Sequence, residues 1–321
     1  MMKYLLALLL TGMLSNVYAN WHKHSFDVMG TQAKVELWEP DEQRANKLIQ
    51  SVVDEMNRID QLMSPYIESS QLSQLNKLAG EQAVKVSHEL FDVIKQSVYF
   101  STLSDGAFDI TFASVGFYYD YRDNKFPSDA IIENTKPLIN YQSLVLDDTH
   151  NTIAFKKSGV KVDLGGIAKG YAVDKCIELL KKADVSHAFV QAGGDSRLLG
   201  DKRGRLWSIG IQHPRQKNKV LTQLPAENVA ISTSGDYERF FIHNDERIHH
   251  IIDPSTGRSS KQSISVTVIA NDSITADALS TSVFVLGAEK GLALINSLDD
   301  VSAIIINNNG KLFYSSDLMA N

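Results

Sequence analysis

The chain has 321 residues, 43% hydrophobic and 22% charged, and its 32 Lys and Arg against 38 Asp and Glu leave a net charge of −6. That composition excludes a disordered or collagen-like chain, and the negative balance argues against a nucleic-acid partner, whose phosphates need cations. The single cysteine, Cys176, excludes an internal disulfide.

Lys3, the apolar run 4–14 and the segment Ser15-Asn16-Val17-Tyr18-Ala19 have the layout of a secretory signal cut after Ala19. The apolar run falls short of the about 20 residues that a spanning helix needs. The chain is therefore expected in the periplasm, soluble or peripherally associated with the inner membrane. No later segment reads as apolar for long enough to cross a membrane. A single domain is expected over 20–321, with a possible lobe boundary near 160.

Alternation of Ala33, Val35 and Leu37 predicts a strand over 31–38. Spacings of three and four from Ala45 to Met63 predict an amphipathic helix, and a second helix is expected over 89–101. Residues 118–140 read as a long irregular loop. Strands are expected within 144–155 and over 160–163, followed by a helix over 167–182. Short strands are expected over 188–191, 206–211, 229–232, 239–242 and 263–270. A helix over 275–286 should stop at Gly287. Strands 303–307 and 311–314 make a closing hairpin around Asn308-Asn309-Gly310. The predicted fold class is α+β with mostly antiparallel sheet.

Three stretches carry chemistry. In Asp163-Leu164-Gly165-Gly166-Ile167-Ala168-Lys169-Gly170, a strand ends, two glycines turn the chain and a helix begins. Backbone N–H groups at such a start favour phosphate. The spacing fits neither a Walker loop nor a dinucleotide fingerprint, and it also suits a plain tight turn with a solvated lysine. Asp277 and Thr281 stand four apart, so a helix puts both on one face. Their oxygens suit Mg2+ rather than zinc, although an aspartate near a helix start needs no metal. In His249-His250-Ile251-Ile252-Asp253-Pro254-Ser255-Thr256-Gly257, Asp253 can orient His250 as a base, or simply form an Asx-turn. His22 and His24 read as a solvated start of the mature chain, and Cys176 as core.

Together these stretches resemble the ApbE family of FAD:protein FMN transferases. The resemblance runs in order through Met29-Gly30-Thr31, Met63-Ser64-Pro65-Tyr66, Ser70–Asn76 and Gly106-Ala107-Phe108-Asp109-Ile110-Thr111. It continues through the glycine-rich run, Ala192-Gly193-Gly194-Asp195, Ser232-Thr233-Ser234-Gly235-Asp236-Tyr237 and the His250–Gly257 segment. Ser265-Val266-Thr267-Val268 and Ala276-Asp277-Ala278-Leu279-Ser280-Thr281 close it.

The resemblance implies an exported enzyme with a two-lobed fold and FAD in the cleft. It splits the FAD diphosphate and moves FMN onto a threonine, or sometimes a serine, of a target protein, releasing AMP. The usual acceptors are flavin subunits of sodium-pumping NADH:quinone oxidoreductases and Rnf-type membrane complexes. The family requires Mg2+, and its ligands carry over to Gly166, Asp277 and Thr281. FAD contacts carry over to Met29, Tyr66, Ala107, Phe108, Asp109, Asp163, Lys169 and Ile252. His250 matches the histidine linked to catalysis. Asp253 is its expected orienter, and Asp277 or a metal-bound water is the alternative base.

Three positions depart from the family pattern: no lipid-accepting cysteine follows the signal, Ser259 replaces a frequent proline, and Phe117-Tyr118-Tyr119 follows the Asp-Ile-Thr stretch. Two other functions compete, a Mg2+-dependent FAD pyrophosphatase yielding FMN and AMP, and a periplasmic FAD carrier without chemistry.

Overall fold

The alternation over 31–38 becomes the strand Thr31–Glu39, in which Ala33, Val35 and Leu37 are fully buried. The computed structural model describes residues 20–319 apart from 217 and 218, so the expected secretory signal lies outside the described residues. Thr31–Glu39 belongs to an eight-stranded sheet. The spatial order is Asn20–Val28, Thr31–Glu39, Ala188–Ala192, Asp195–Leu199, Ala230–Gly235, Ser263–Ala270, Ser302–Asn307 and Leu312–Tyr314. Every neighbouring pair is antiparallel. The α+β class with antiparallel sheet is thus the observed architecture.

Long helices pack on this sheet. Glu42–Met63 is capped by the Asp41 carboxylate, which accepts from the Arg44 amide at 3.0 Å. Its buried stripe is Ala45, Leu48, Val52, Met56, Ile59 and Met63. Ala168–Lys182 packs beside it, and Ser273–Ile295 packs against that helix and the sheet. One buried cluster includes residues from both sides of position 160, among them Ile94, Phe108, Val173 and Phe284.

Helices Ala168–Lys182 and Ser273–Ile295 approach too closely for a side chain at Gly170. A Cβ there would lie 2.2 Å from the Ser273 carbonyl oxygen and 2.8 Å from the Asp277 Cβ. Asp174, one turn further along, accepts from the Ser273 and Ile274 amides at 2.9 Å each and from Arg197 Nη1 at 2.6 Å. The open amides at the start of one helix are therefore satisfied by a carboxylate on its neighbour. This clamp fixes the position of Asp277.

The structure corrects several expectations. His22 and His24 lie in the strand Asn20–Val28, paired with Thr31–Glu39, not in a solvated tail. Part of the 118–140 stretch is the helix Asp129–Thr135, capped by Ser128. Residues 160–163 are extended but join no sheet. The Asn76 side chain stands in for a neighbouring strand there, donating to the Val162 carbonyl at 2.8 Å and accepting from its amide at 2.7 Å. The helix expected over 275–286 continues beyond Gly287, which adopts φ 77° and joins two helical segments up to Ile295. Ser273–Ile295 is long and apolar enough to cross a membrane by composition. Its buried residues Ile274, Leu279, Val283 and Phe284 instead face the core of this fold.

Two predictions follow from the helix contact. Gly170→Ala should cost about 1–3 kcal/mol through overpacking, read as a lower urea midpoint; an unchanged midpoint contradicts the contact. Cys176 is buried on the same helix, and burial pushes its thiol pKa well above the ordinary range. Thiol reagents at pH 8 should leave it unmodified until denaturant is added, as mass spectrometry would show.

Candidate active site

The glycine turn is held at both sides. The Asp163 amide donates to the Ile110 carbonyl at 3.0 Å, and the Asp163 carboxylate accepts from the Gly165 amide at 2.6 Å. The Leu164 carbonyl then accepts from Ile167 and Ala168, at 3.0 and 2.8 Å, which starts the helix. Gly166 faces two neighbours. A Cβ on it would lie 3.2 Å from the Phe108 ring and 3.3 Å from the Thr281 hydroxyl oxygen. Gly166 and Thr281, far apart in sequence, are therefore adjacent.

Lys169 projects from the first turn of that helix between two carboxylates. Its Nζ is 2.9 Å from Asp195 Oδ2, 3.3 Å from Asp277 Oδ2 and 2.8 Å from the Gly165 carbonyl oxygen, to which it donates. Burial disfavours the ammonium, yet Asp195 and Asp277 together hold its pKa above the usual lysine range. Burial and then the neighbouring Asp195 charge push the Asp277 carboxyl up to about 7, against the pull of Lys169. The Gly170 amide also donates to Asp277 Oδ2 at 3.0 Å.

Hydroxyl groups link the two carboxylate positions. Ser232 Oγ donates to Asp195 Oδ1 at 2.5 Å and lies 3.0 Å from Ser280 Oγ. Ser280 Oγ is 2.8 Å from Ser234 Oγ, which is 3.3 Å from Thr281 Oγ1. The sheet strand Ala230–Gly235 and the helix Ser273–Ile295 supply these groups by close packing.

His250 follows the hairpin Phe240–His243 and Glu246–His249. Its amide donates to the Arg239 carbonyl at 3.1 Å, while its buried Nδ1 has no hydrogen-bond partner. Burial first, then the charges of Arg239, His249 and Lys169, push its pKa down to about 3. Arg239 also donates to the Gly30 carbonyl at 3.0 Å, which ties the Met29–Gly30 turn to the same region. Met29 has φ 52°, and its amide donates to Asp60 at 3.4 Å.

The remaining predicted residues divide. Tyr66 is 79% exposed and meets Phe117 edge-on at 6.3 Å. It lies within electrostatic range of Asp163 and Arg239. Ala107 is half-buried, and Phe108 is buried against Gly166. Ile252 is buried in a short ladder with Ser259. Both Asp109 oxygens are engaged locally, Oδ1 by the Thr111 amide and hydroxyl and Oδ2 by the Tyr141 amide.

Asp253 does not orient His250. Its Oδ1 accepts from the Ser255 amide at 2.8 Å and hydroxyl at 2.6 Å, and its carbonyl accepts from the Gly257 amide at 2.8 Å. It makes an Asx-turn, the alternative that the Pro254–Gly257 sequence left open. Sequence reasoning assigned no role to Asp195, Ser232, Ser234 or Ser280. All four stand in motifs quoted for the resemblance. Arg239 carried no sequence signal.

The oxygen set near Thr281 suits a hard cation. Among the described residues no group of three or more His, Cys, Asp or Glu side chains could hold a metal. A site here must combine the Asp277 carboxylate with hydroxyl and carbonyl oxygens. Asp277 Oδ1 has spare capacity, since its sole hydrogen-bond partner among the described residues is Lys169 at 3.4 Å. A single carboxylate among neutral oxygens fits Mg2+ and offers no thiolate or imidazole for a softer metal.

Comparison with known proteins identifies the family. The ApbE family profile matches residues 29–305. The FAD:protein FMN transferase of Klebsiella pneumoniae (strain 342) is 30% identical over 303 residues, covering 92% of each chain. The crystal structure of the ApbE protein of Thermotoga maritima superposes with a TM-score of 0.86 at 32% identity, covering 94% of this chain and 99% of that one. The flavin transferase ApbE of Vibrio cholerae superposes with a TM-score of 0.83 at 27% identity, with the same coverage. The profile spans the glycine turn, Lys169, His250 and the Asp277 helix, and on that extent of match the chain belongs to the ApbE family.

Proposed function

We propose that this protein transfers FMN from FAD to the hydroxyl of a threonine, or a serine, on a protein acceptor, in a Mg2+-dependent reaction that releases AMP. The observation that carries the reading is the junction of the glycine turn with Asp277 and Thr281, with Lys169 between two buried carboxylates. The names of the family relatives support flavin transfer to protein. Residues 1–19 support a periplasmic location. The acceptors that fit are flavin subunits of membrane redox complexes, of the sodium-pumping NADH:quinone oxidoreductase or Rnf type.

In the proposed reaction the acceptor oxygen attacks the phosphorus of the FMN half. The bond from that phosphorus to the bridging oxygen breaks, and AMP leaves with the bridging oxygen. The hydroxyl proton passes to the His250 imidazole, whose Nδ1 is unpaired. The Lys169 ammonium offsets diphosphate charge. Asp277, Thr281 and the Gly166 carbonyl are the groups to hold Mg2+, which when bound supplies charge neutralisation at the phosphoryl oxygens. Tyr66 offers an exposed flat ring for the isoalloxazine or adenine. Burial first, then Arg239, His249 and Lys169, keep the free imidazole neutral, and a bound diphosphate would offset the Arg239 and Lys169 share of that depression.

Residues 20–321 mixed with FAD, Mg2+ and an acceptor domain should yield a fluorescent acceptor band on a denaturing gel, with matching AMP release. EDTA or Asp277→Ala should abolish both. FMN and AMP released equally fast without acceptor would instead favour the pyrophosphatase, and FAD bound without product would favour the carrier.

The His250 imidazole should stay neutral from pH 5 to 8. Its folded pKa of about 3 lies below the ordinary 6.5. The unfolded chain therefore takes up the proton first, and this group's share of stability is lost as pH falls from 6.5 toward 3. NMR should show a flat His250 ring resonance from pH 5 to 8, with Arg239→Ala raising its midpoint. A wild-type midpoint near the ordinary value contradicts the geometry.

A further inference from the structure

The Ala192-Gly193-Gly194-Asp195 and Ser232-Thr233-Ser234 stretches are not absorbed by the reaction above. Gly193 and Gly194 form the turn between the paired strands Ala188–Ala192 and Asp195–Leu199, with Gly193 at φ 60°. A Cβ on Gly194 would lie 2.5 Å from the Thr233 carbonyl oxygen, so the turn lies directly on the neighbouring strand. That contact delivers Asp195, 2% exposed, to the inner end of Lys169. Ser232 fixes the carboxylate through Oδ1, which leaves Oδ2 for the ammonium.

Lys169 is thus shared unequally. It is 2.9 Å from Asp195 but 3.3 and 3.4 Å from the Asp277 oxygens. A divalent cation on Asp277 would compete with this ammonium for the same oxygens. We infer that Asp195 is a positioning residue that biases the Lys169 ammonium toward itself and so lessens its competition with a cation for Asp277. The inference rests on the proposed Mg2+ site. Ser232 sets the rotamer of Asp195, and its link to Ser280 registers that setting against the helix that carries Asp277 and Thr281.

The test is a double-mutant cycle read by calorimetric Mn2+ titration at pH 8, with and without FAD. It uses wild type, Asp195→Asn, Lys169→Met and the double variant. Asp195→Asn should weaken Mn2+ binding by about tenfold or more, roughly 1.4 kcal/mol, because the ammonium shifts onto Asp277. In the Lys169→Met background the same substitution should change binding by less than about twofold, roughly 0.4 kcal/mol. Equal weakening in both backgrounds would mean that Asp195 acts through its charge alone, and overturns the inference. So does no weakening in either. If Asp195→Asn fails to fold, as circular dichroism would show, the comparison of Lys169→Met with the double variant decides, and clearly weaker binding by the double variant overturns the inference. Wild type that binds no Mn2+ under either condition removes the cation site itself, whereas wild-type binding with an unaltered Asp195→Asn constant removes only the role of Asp195.

Discussion

One ammonium between two buried carboxylates is the interaction on which the site depends. Asp195 and Asp277 are 2% and 3% exposed, and they come from a sheet strand and a helix that are distant in sequence. Two carboxylates cannot stay ionised side by side in a poorly solvated place without compensation. Lys169 supplies one positive charge, and Ser232 and the Gly170 amide supply hydrogen bonds. The compensation is incomplete, since two negative charges face one positive charge. Burial first, and then the Asp195 charge, raise the Asp277 pKa above the usual carboxylate range. A further cation beside Asp277 would correct the imbalance, so the electrostatics and the oxygen donor set lead to the same conclusion.

That arrangement needs the two helices to meet closely. Gly170 removes the side chain that would separate them, and Asp174 binds the first amides of the partner helix. The glycine therefore has a packing reason independent of any ligand. Gly166 has another, because Phe108 and Thr281 crowd the space that its Cβ would fill. The glycines of one motif thus serve different constraints. One brings helices together, and the other brings the turn to the Thr281 hydroxyl.

Much of this was legible in the chain. Regular periodicity gave the helix Glu42–Met63 and the strand Thr31–Glu39, because a buried face writes its spacing into the sequence. The Gly165-Gly166 turn and the Asp277–Thr281 pair were readable as local patterns. Their meeting was not, since it depends on tertiary packing. Residues 160–163 have the composition of a strand, but Asn76 takes the place of the neighbouring strand. Asn20–Val28 alternates weakly, and its exposed edge position explains why. Asp253 was ambiguous because Asp-Pro-Ser-Thr-Gly is equally a turn and a base partner; the hydrogen bonds to Ser255 decide for the turn. Asp195 carried no local signal of its role, because that role is defined by Lys169 across the sheet.

The same lysine lowers the pKa of both Asp277 and His250. Its charge holds Asp277 below where burial alone would put it, and it adds to the depression of His250. In the proposed reaction the carboxylate would hold a cation and the imidazole would take a proton. Neither state belongs to its residue alone. Burial acts first on each, and Lys169, held by the Gly165 carbonyl on one side and Asp195 on the other, adds to both. Chemistry at this site is therefore coupled to the backbone path through Gly165 and Gly166. On the proposed mechanism, a change that moves the turn would alter the cation site and the base together.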